Sequence, residues 1–254
     1  MAAGEREIRL RGFREEDRPP LLVLQHAGCE PPGVYEDELR ERGIAFERVV
    51  TTETPVLPDW RPYAAIVAMG GAMGAYEEDL HPWLVAEKRL IAEAVEAGRA
   101  YWGVCLGAQL LAAALGASVA PGAAPEVGVS EVRLTPEAAG DPVFCAAPPT
   151  FRTLQWHGDT YELPAGAIRL ARSERYEQQA FALGAAYGLQ FHLEVDGALA
   201  AEWMDVPEYV AELEQLDGDG AAARMLAGVR AAEAETVPLA RRLFARWLTE
   251  IVRI

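Results

Sequence analysis

Short apolar runs that end in glycine-containing loops and alternate with helix-patterned stretches leave this chain few folds. LLVLQH (Leu21 to His26), YAAIVAM (Tyr63 to Met69) and RAYWGV (Arg99 to Val104) are such runs. Segments this short and this apolar suit strands covered on both faces of a parallel sheet. Between them lie a helix over about Val34 to Arg42, a strand AFERVV from Ala45, and a helix from Trp83 to Ala97. The last has Leu84, Leu90, Ile91, Ala94 and Val95 at helical spacing and stops at Gly98. Leu106 to Leu115 reads as a further helix, stopped by Gly116. The alternation predicts an α/β protein with an open, mostly parallel sheet flanked by helices.

Beyond Ala120 the pattern changes. Val127–Leu134, Thr150–Trp156, Ala167–Ala171, Gln179–Leu183 and Ala186–Phe191 are strand-like and separated by Pro- and Gly-containing turns, which predicts a more antiparallel second half. From Gly197 the pattern is helical and ends in the amphipathic stretch Val237 to Val252. The expected organisation is a charged N-terminal arm over 1–20, loosely ordered or adding an edge strand, a main domain over 21–195 and a helical extension over 196–254. That extension is expected to pack on the core, with a cover over the site or a dimer face as alternatives. LDGDG near Leu216 is an interhelical loop that lacks the later ligands of a calcium loop.

Charge and cysteine content narrow the function. With 39 acidic against 23 basic residues the formal charge is −16, which disfavours nucleic acid or an anionic membrane as partner. Cys29, Cys105 and Cys145 form no disulfide framework, and the four histidines and three cysteines show no metal-ligand spacing. No metal or cofactor is expected. Without a signal-peptide pattern or a long uncharged apolar run, a cytoplasmic location is expected.

Three segments carry chemistry. Gly103-Val104-Cys105-Leu106-Gly107 sits between a strand and a helix, where a tight turn lifts a nucleophile clear of the sheet. The helix start favours thiolate over thiol, and the N–H of Leu106 would face an oxyanion formed beside the sulfur. From this pentapeptide alone a buried structural cysteine is an equal reading. His192-Leu193-Glu194 follows an apolar strand; residues two apart share a face, so Glu194 can orient an imidazole whose other nitrogen faces Cys105. Gly70-Gly71, also after a strand, can turn backbone N–H groups into the crevice, most plausibly that of Gly71 as second oxyanion donor. Gln109, four residues after Cys105, shares its helical face and can meet a small polar substrate.

MGGAMGAYEEDLHPWL, GVCLGAQLLA, QWHGDT and YGLQFHLEV, in this order, closely resemble the motifs of class I glutamine amidotransferases. The resemblance runs over about residues 21–254 and is strongest to a stand-alone branch similar to the glutaminase domain of GMP synthase. It implies a flavodoxin-like fold, with Cys105 as nucleophile, His192 as general base and acid, and Glu194 as its orienter. Gly71 and Leu106 would form the oxyanion hole, and Gln109, Gly70, Trp156 and His157 would line the substrate pocket. His26 and His81 match no catalytic motif and are expected to be structural or exposed. The implied substrate is L-glutamine, hydrolysed through a thioester to glutamate and ammonia, or else a γ-glutamyl compound cleaved by the same residues. Two features depart from the common pattern: Leu193 stands where proline is usual, and the chain carries no ATP pyrophosphatase motif, so ammonia would pass to a separate synthetase or be released.

Overall fold

The computed structural model describes residues 18–54 and 56–254; residues 1–17 of the expected N-terminal arm lie outside the described residues. Nine strands form one sheet in the order β2-β1-β3-β4-β9-β8-β7-β5-β6. Here β1 is Leu21–Gln25, β2 Phe46–Val50, β3 Ala65–Ala68, β4 Ala100–Val104 and β5 Val119–Leu134; β6 is Thr150–Tyr161, β7 Ile168–Arg172, β8 Ala180–Leu183 and β9 Ala186–Leu189. The pairs from β2 through β9 are parallel, and those from β9 through β6 antiparallel. The mostly parallel first half and antiparallel second half therefore stand as the sequence pattern predicts.

Period-two alternation explains why the inner parallel strands are apolar throughout, whereas the edge strand β2 exposes Glu47 and Arg48. Leu21 and Val23, Ala65 and Val67, and Trp102 and Val104 point to one face; Leu22 and Leu24, Ile66 and Ala68, and Tyr101 point to the other. The second face is covered by α2 (Trp83–Glu96) and α3 (Leu106–Ala114). The first is covered by α1 (Val34–Glu41) and by Leu239, Leu243 and Phe244 of the last long helix. A third apolar cluster joins Leu154 and Val195 to Leu199, Leu213, Met225 and Val229. It fastens the helices α4 (Gly197–Trp203), α5 (Pro207–Asp217) and α6 (Ala221–Arg246) to the antiparallel side.

Three boundaries differ from the pattern reading. β5 starts at Val119 and β6 runs on to Tyr161; their added residues pair from Val119 with Tyr161 to Pro121 with Asp159. That part of β5 is largely solvent-facing and contains Pro121 and Pro125, so it shows no alternation; a register shift between Pro121 and Glu126 accommodates the prolines. The final amphipathic stretch begins at Ala221, because Pro238 sits inside an otherwise continuous helix that tertiary packing sustains; a π-helical turn, Trp247–Val252, follows. Trp247 is wholly buried against Trp102 and Phe244, with centroids 5.6 and 5.4 Å away. Trp247→Ala is expected to destabilise the chain by about 3–5 kcal/mol in urea denaturation; a loss under about 1 kcal/mol would mean the tail is only loosely docked.

Candidate active site

At the end of β4 the chain turns into α3 through Cys105, whose φ of 50° and ψ of −108° strain a residue with a side chain. Such a conformation costs about 1–3 kcal/mol and persists only where the surroundings enforce it. A Cβ on Gly103 would fall 2.5 Å from the Gly107 carbonyl oxygen, and one on Gly107 only 2.2 Å from that of Ala68. Both glycines of the pentapeptide are thus required by close backbone approach. The Cys105 N–H donates to the Leu189 carbonyl at 2.7 Å and the Gly107 N–H to that of Met69 at 3.1 Å, tying the turn to β9 and the end of β3. The N–H of Leu106, first of α3, meets no acceptor among the described residues.

His192 lies just past β9, clamped to β6. Its N–H donates to the Leu154 carbonyl at 2.9 Å, and its own carbonyl accepts the Thr153 hydroxyl at 2.8 Å. Its Nδ1 is 2.6 Å from Glu194 Oε1, and both side chains are buried. The Glu194 carbonyl accepts the Val34 N–H at 3.0 Å, and Gly33 (φ 52°) has no room for a Cβ, which would lie 2.2 Å from that oxygen. Burial is the largest single influence on His192 and pushes it down, but Glu194 and Cys105 together outweigh it and hold the imidazole well above its ordinary range. A proton is thereby kept between a carboxylate and a sulfur.

A cavity of about 250 Å³ brings together Cys105, His192, Gly71, Gln109, Trp156 and His157. Glu194 and Leu106 stand behind this lining. Gly70 does too: a Cβ there would meet Glu30 Oε2 at 2.6 Å, His192 Cε1 at 3.2 Å and Cys105 Cβ at 3.7 Å. His157 is held in the wall, with Nδ1 2.9 Å from the Asp159 carbonyl and Nε2 3.2 Å from Glu126 Oε2. His81 is half-buried beside Trp83, whereas His26 is wholly buried beneath the Gly70-Gly71 loop.

Several neighbours were not legible from motifs. Gln190 donates through Nε2 to Cys105 Sγ at 3.6 Å and accepts from Gln109 Nε2 at 3.2 Å. Its position two residues before His192 is the signal that would have marked it. Trp203 of α4 and Tyr209 and Glu212 of α5 also line the cavity, so the helical extension walls the site as well as packing on the core. Trp203 meets the His192 ring edge-on at 5.6 Å, and the Tyr209 hydroxyl donates to Glu30 Oε1 at 2.5 Å. Burial pushes Glu30 up, and the bond from Tyr209 only partly offsets it. Glu30, Glu77, Asp159 and Glu212 line the cavity, and among the described residues no lysine or arginine does.

A buried cysteine on a strained strand-to-helix turn, beside a His–Glu pair at the carboxyl edge of a parallel sheet, marks a class of α/β proteins built around a poised thiol. The family model for class-I glutamine amidotransferase matches residues 35–203, and the chain belongs to that family. The glutamine amidotransferase-like protein YfeJ of Salmonella typhimurium is 32% identical over 175 residues, covering 66% of this chain and 73% of that protein. The GMP synthase of Thermomicrobium roseum is 37% identical over 62% of this chain, but the match spans only 29% of its length. A solved glutamine amidotransferase from Thermotoga maritima superposes with a TM-score of 0.82 at 34% identity, over 92% of this chain and 98% of that one.

A proton held more tightly in the folded chain stabilises it below the free imidazole's pKa of about 6.5, and the benefit fades as pH rises through the raised folded value. Glu194→Gln is therefore expected to bring the His192 titration down, as read by NMR. It should also destabilise the chain most in mildly acid solution, with the deficit shrinking toward alkaline pH. A deficit in urea denaturation that grows with pH would contradict this account of His192.

Proposed function

We propose that the chain is a glutaminase of the class I amidotransferase type, with Cys105, His192 and Glu194 as its catalytic triad. The observation that carries this reading is the single cavity shared by the strained Cys105, the Glu194-bound His192 and the Gly71 backbone. The Cys105 thiolate attacks the side-chain amide carbon of glutamine, and the resulting oxyanion is met by the N–H groups of Gly71 and Leu106. His192 gives its proton to the departing nitrogen, the C–N bond breaks, and ammonia leaves a Cys105 thioester. His192 then takes a proton from water as the water attacks the thioester; collapse releases glutamate and restores the thiolate. The carboxylates of Glu77, Asp159 and Glu212 suit the ligand's α-ammonium group, and Gln109 and Trp156 bound its other sides.

The ammonia would pass to a separate ammonia-accepting synthetase. The names of relatives such as GMP synthase support this reading, and this chain matches less than a third of that relative's length. A second reading is cleavage of a γ-glutamyl compound by the same residues. It is supported by the name of one relative, gamma-glutamyl peptidase 4 of Arabidopsis thaliana, 28% identical over 156 residues.

Turnover of L-glutamine compared with that of γ-glutamyl peptides, reading ammonia and glutamate together, separates the two. Cys105→Ala should abolish hydrolysis and labelling by an electrophilic glutamine analogue, whereas the exposed Cys145→Ala should leave both intact. His192→Ala should lose on the order of 10³-fold or more, since triad members act as a unit. Undiminished labelling in Cys105→Ala would sink the assignment.

A further inference from the structure

His26 takes no part in the steps above, yet it is fully buried and touches the glycine loop directly. It follows β1, and its Nδ1 lies 2.9 Å from the Met69 carbonyl oxygen and 3.1 Å from that of Gly70. Its Nε2 lies 2.8 Å from Oε1 of Glu87, a wholly buried carboxylate on α2. Trp83 of the same helix stacks on the imidazole at 5.6 Å. Both ring nitrogens face acceptors. Beside an ionised Glu87 a neutral imidazole, with one N–H, would set its remaining lone pair against an oxygen; the ring then carries both protons and Glu87 balances its charge. Burial pushes His26 down, but Glu87 and the two carbonyls more than compensate and leave it above its ordinary value.

A trans peptide holds its C=O and N–H on opposite sides, and the described residues contain no cis bond. Because the Gly70 carbonyl is turned to His26, the Gly71 N–H is turned away from it. Gly71 lines the cavity, and its N–H meets no acceptor among the described residues. A Cβ on Gly71 would stand 2.9 Å from His26 Cβ and 2.9 Å from Leu106 Cδ2, so the loop is pressed between the two. We propose that His26, backed by Glu87, is a positioning residue that grips the Met69 and Gly70 carbonyls and so keeps the Gly71 N–H directed into the cavity as an oxyanion donor. The reverse peptide orientation would send a carbonyl oxygen toward a developing negative charge and strip the Gly70 acceptor from a buried, charged N–H.

This role rests on the acyl-transfer reading of Cys105, and the test separates the two. His26→Leu removes both donors; His26→Asn keeps one near the Nδ1 position. In His26→Leu kcat is expected to fall on the order of 10²- to 10³-fold, the size of a lost oxyanion donor, with KM little changed. Alkylation of Cys105 by iodoacetamide, which forms no oxyanion, should stay close to wild type, and His26→Asn should recover much of the lost kcat. An unchanged kcat, equal losses in the two variants, or a matching loss of alkylation would overturn the proposal. Two measurements need no substrate. In the wild-type chain both His26 ring nitrogens should be protonated near neutral pH by ¹⁵N NMR, and a bare nitrogen there would refute it. The Gly71 amide resonance should move in His26→Leu and lie near wild type in His26→Asn; no movement in either also refutes it. If the wild-type chain cleaves neither glutamine nor a γ-glutamyl amide, the acyl-transfer reading fails, while these two spectra still decide the loop's orientation.

Discussion

The unfavourable backbone of Cys105 is the constraint from which the rest of the site follows. Its strain is a local cost that only a tightly packed surrounding can offset. Here the turn is so tight that a Cβ on Gly103 would strike the Gly107 carbonyl, and so close to the end of β3 that one on Gly107 would strike that of Ala68. The pressure comes from the parallel sheet itself: β3 and β9 flank β4, and both supply carbonyls to the turn. Loops leaving the carboxyl ends of adjacent parallel strands converge on one crevice. The loop after β1 brings His26 and Glu30, the one after β3 brings Gly70 and Gly71, and the segment after β9 brings Gln190, His192 and Glu194. A fold that places the cysteine in this way supplies its neighbours by topology.

The antiparallel half and the helical extension turn that crevice into a cavity. β6 holds the backbone of His192 from both sides and brings the Trp156 carbonyl within 3.8 Å of Cys105 Sγ. Trp156 in turn packs edge-on against Trp203 and Tyr209, at 5.6 and 5.2 Å. These are apolar contacts with directional geometry, so α4 and α5 sit at a fixed height over the site. Tyr209 also carries a hydroxyl to Glu30, joining the extension to the loop after β1 by a partly buried polar bond. The wall and the floor of the cavity are therefore parts of one packed unit.

What could be read from the sequence follows from how local each signal is. The strand–turn–helix at Cys105 and the two-residue spacing of His192 and Glu194 are local geometry, and motif order linked them. The apolar parallel strands were equally plain, since burial on both faces leaves an unbroken hydrophobic run. By contrast, the outer part of β5 is solvent-facing and proline-containing, so its pairing with β6 has no periodic trace. α6 is held through Pro238 by packing, which propensity does not record. His26 and Tyr209 become significant only through partners 61 and 179 positions away in the chain, Glu87 and Glu30. No window of sequence contains such a pair.

Three buried carboxylates close to Cys105 differ in what they face, and that difference organises the electrostatics. Glu194 and Glu87 each hold an imidazole at 2.6 and 2.8 Å, so each burial places a charge beside its opposite. Glu30 has a phenol hydroxyl instead, and its burial drives it toward the neutral form. Its Oε2 lies against Gly70, next to the His192 ring. Two imidazoles, each paired with its own buried carboxylate, thereby flank the Gly70-Gly71 loop, one behind it and one in front. An anion forming at Cys105 would meet these paired groups in a low-dielectric setting, where fixed charges and dipoles act most strongly. The chain's acidity reaches the interior at Glu194, Glu87 and Glu30, and pairing with imidazole or phenol groups answers it there.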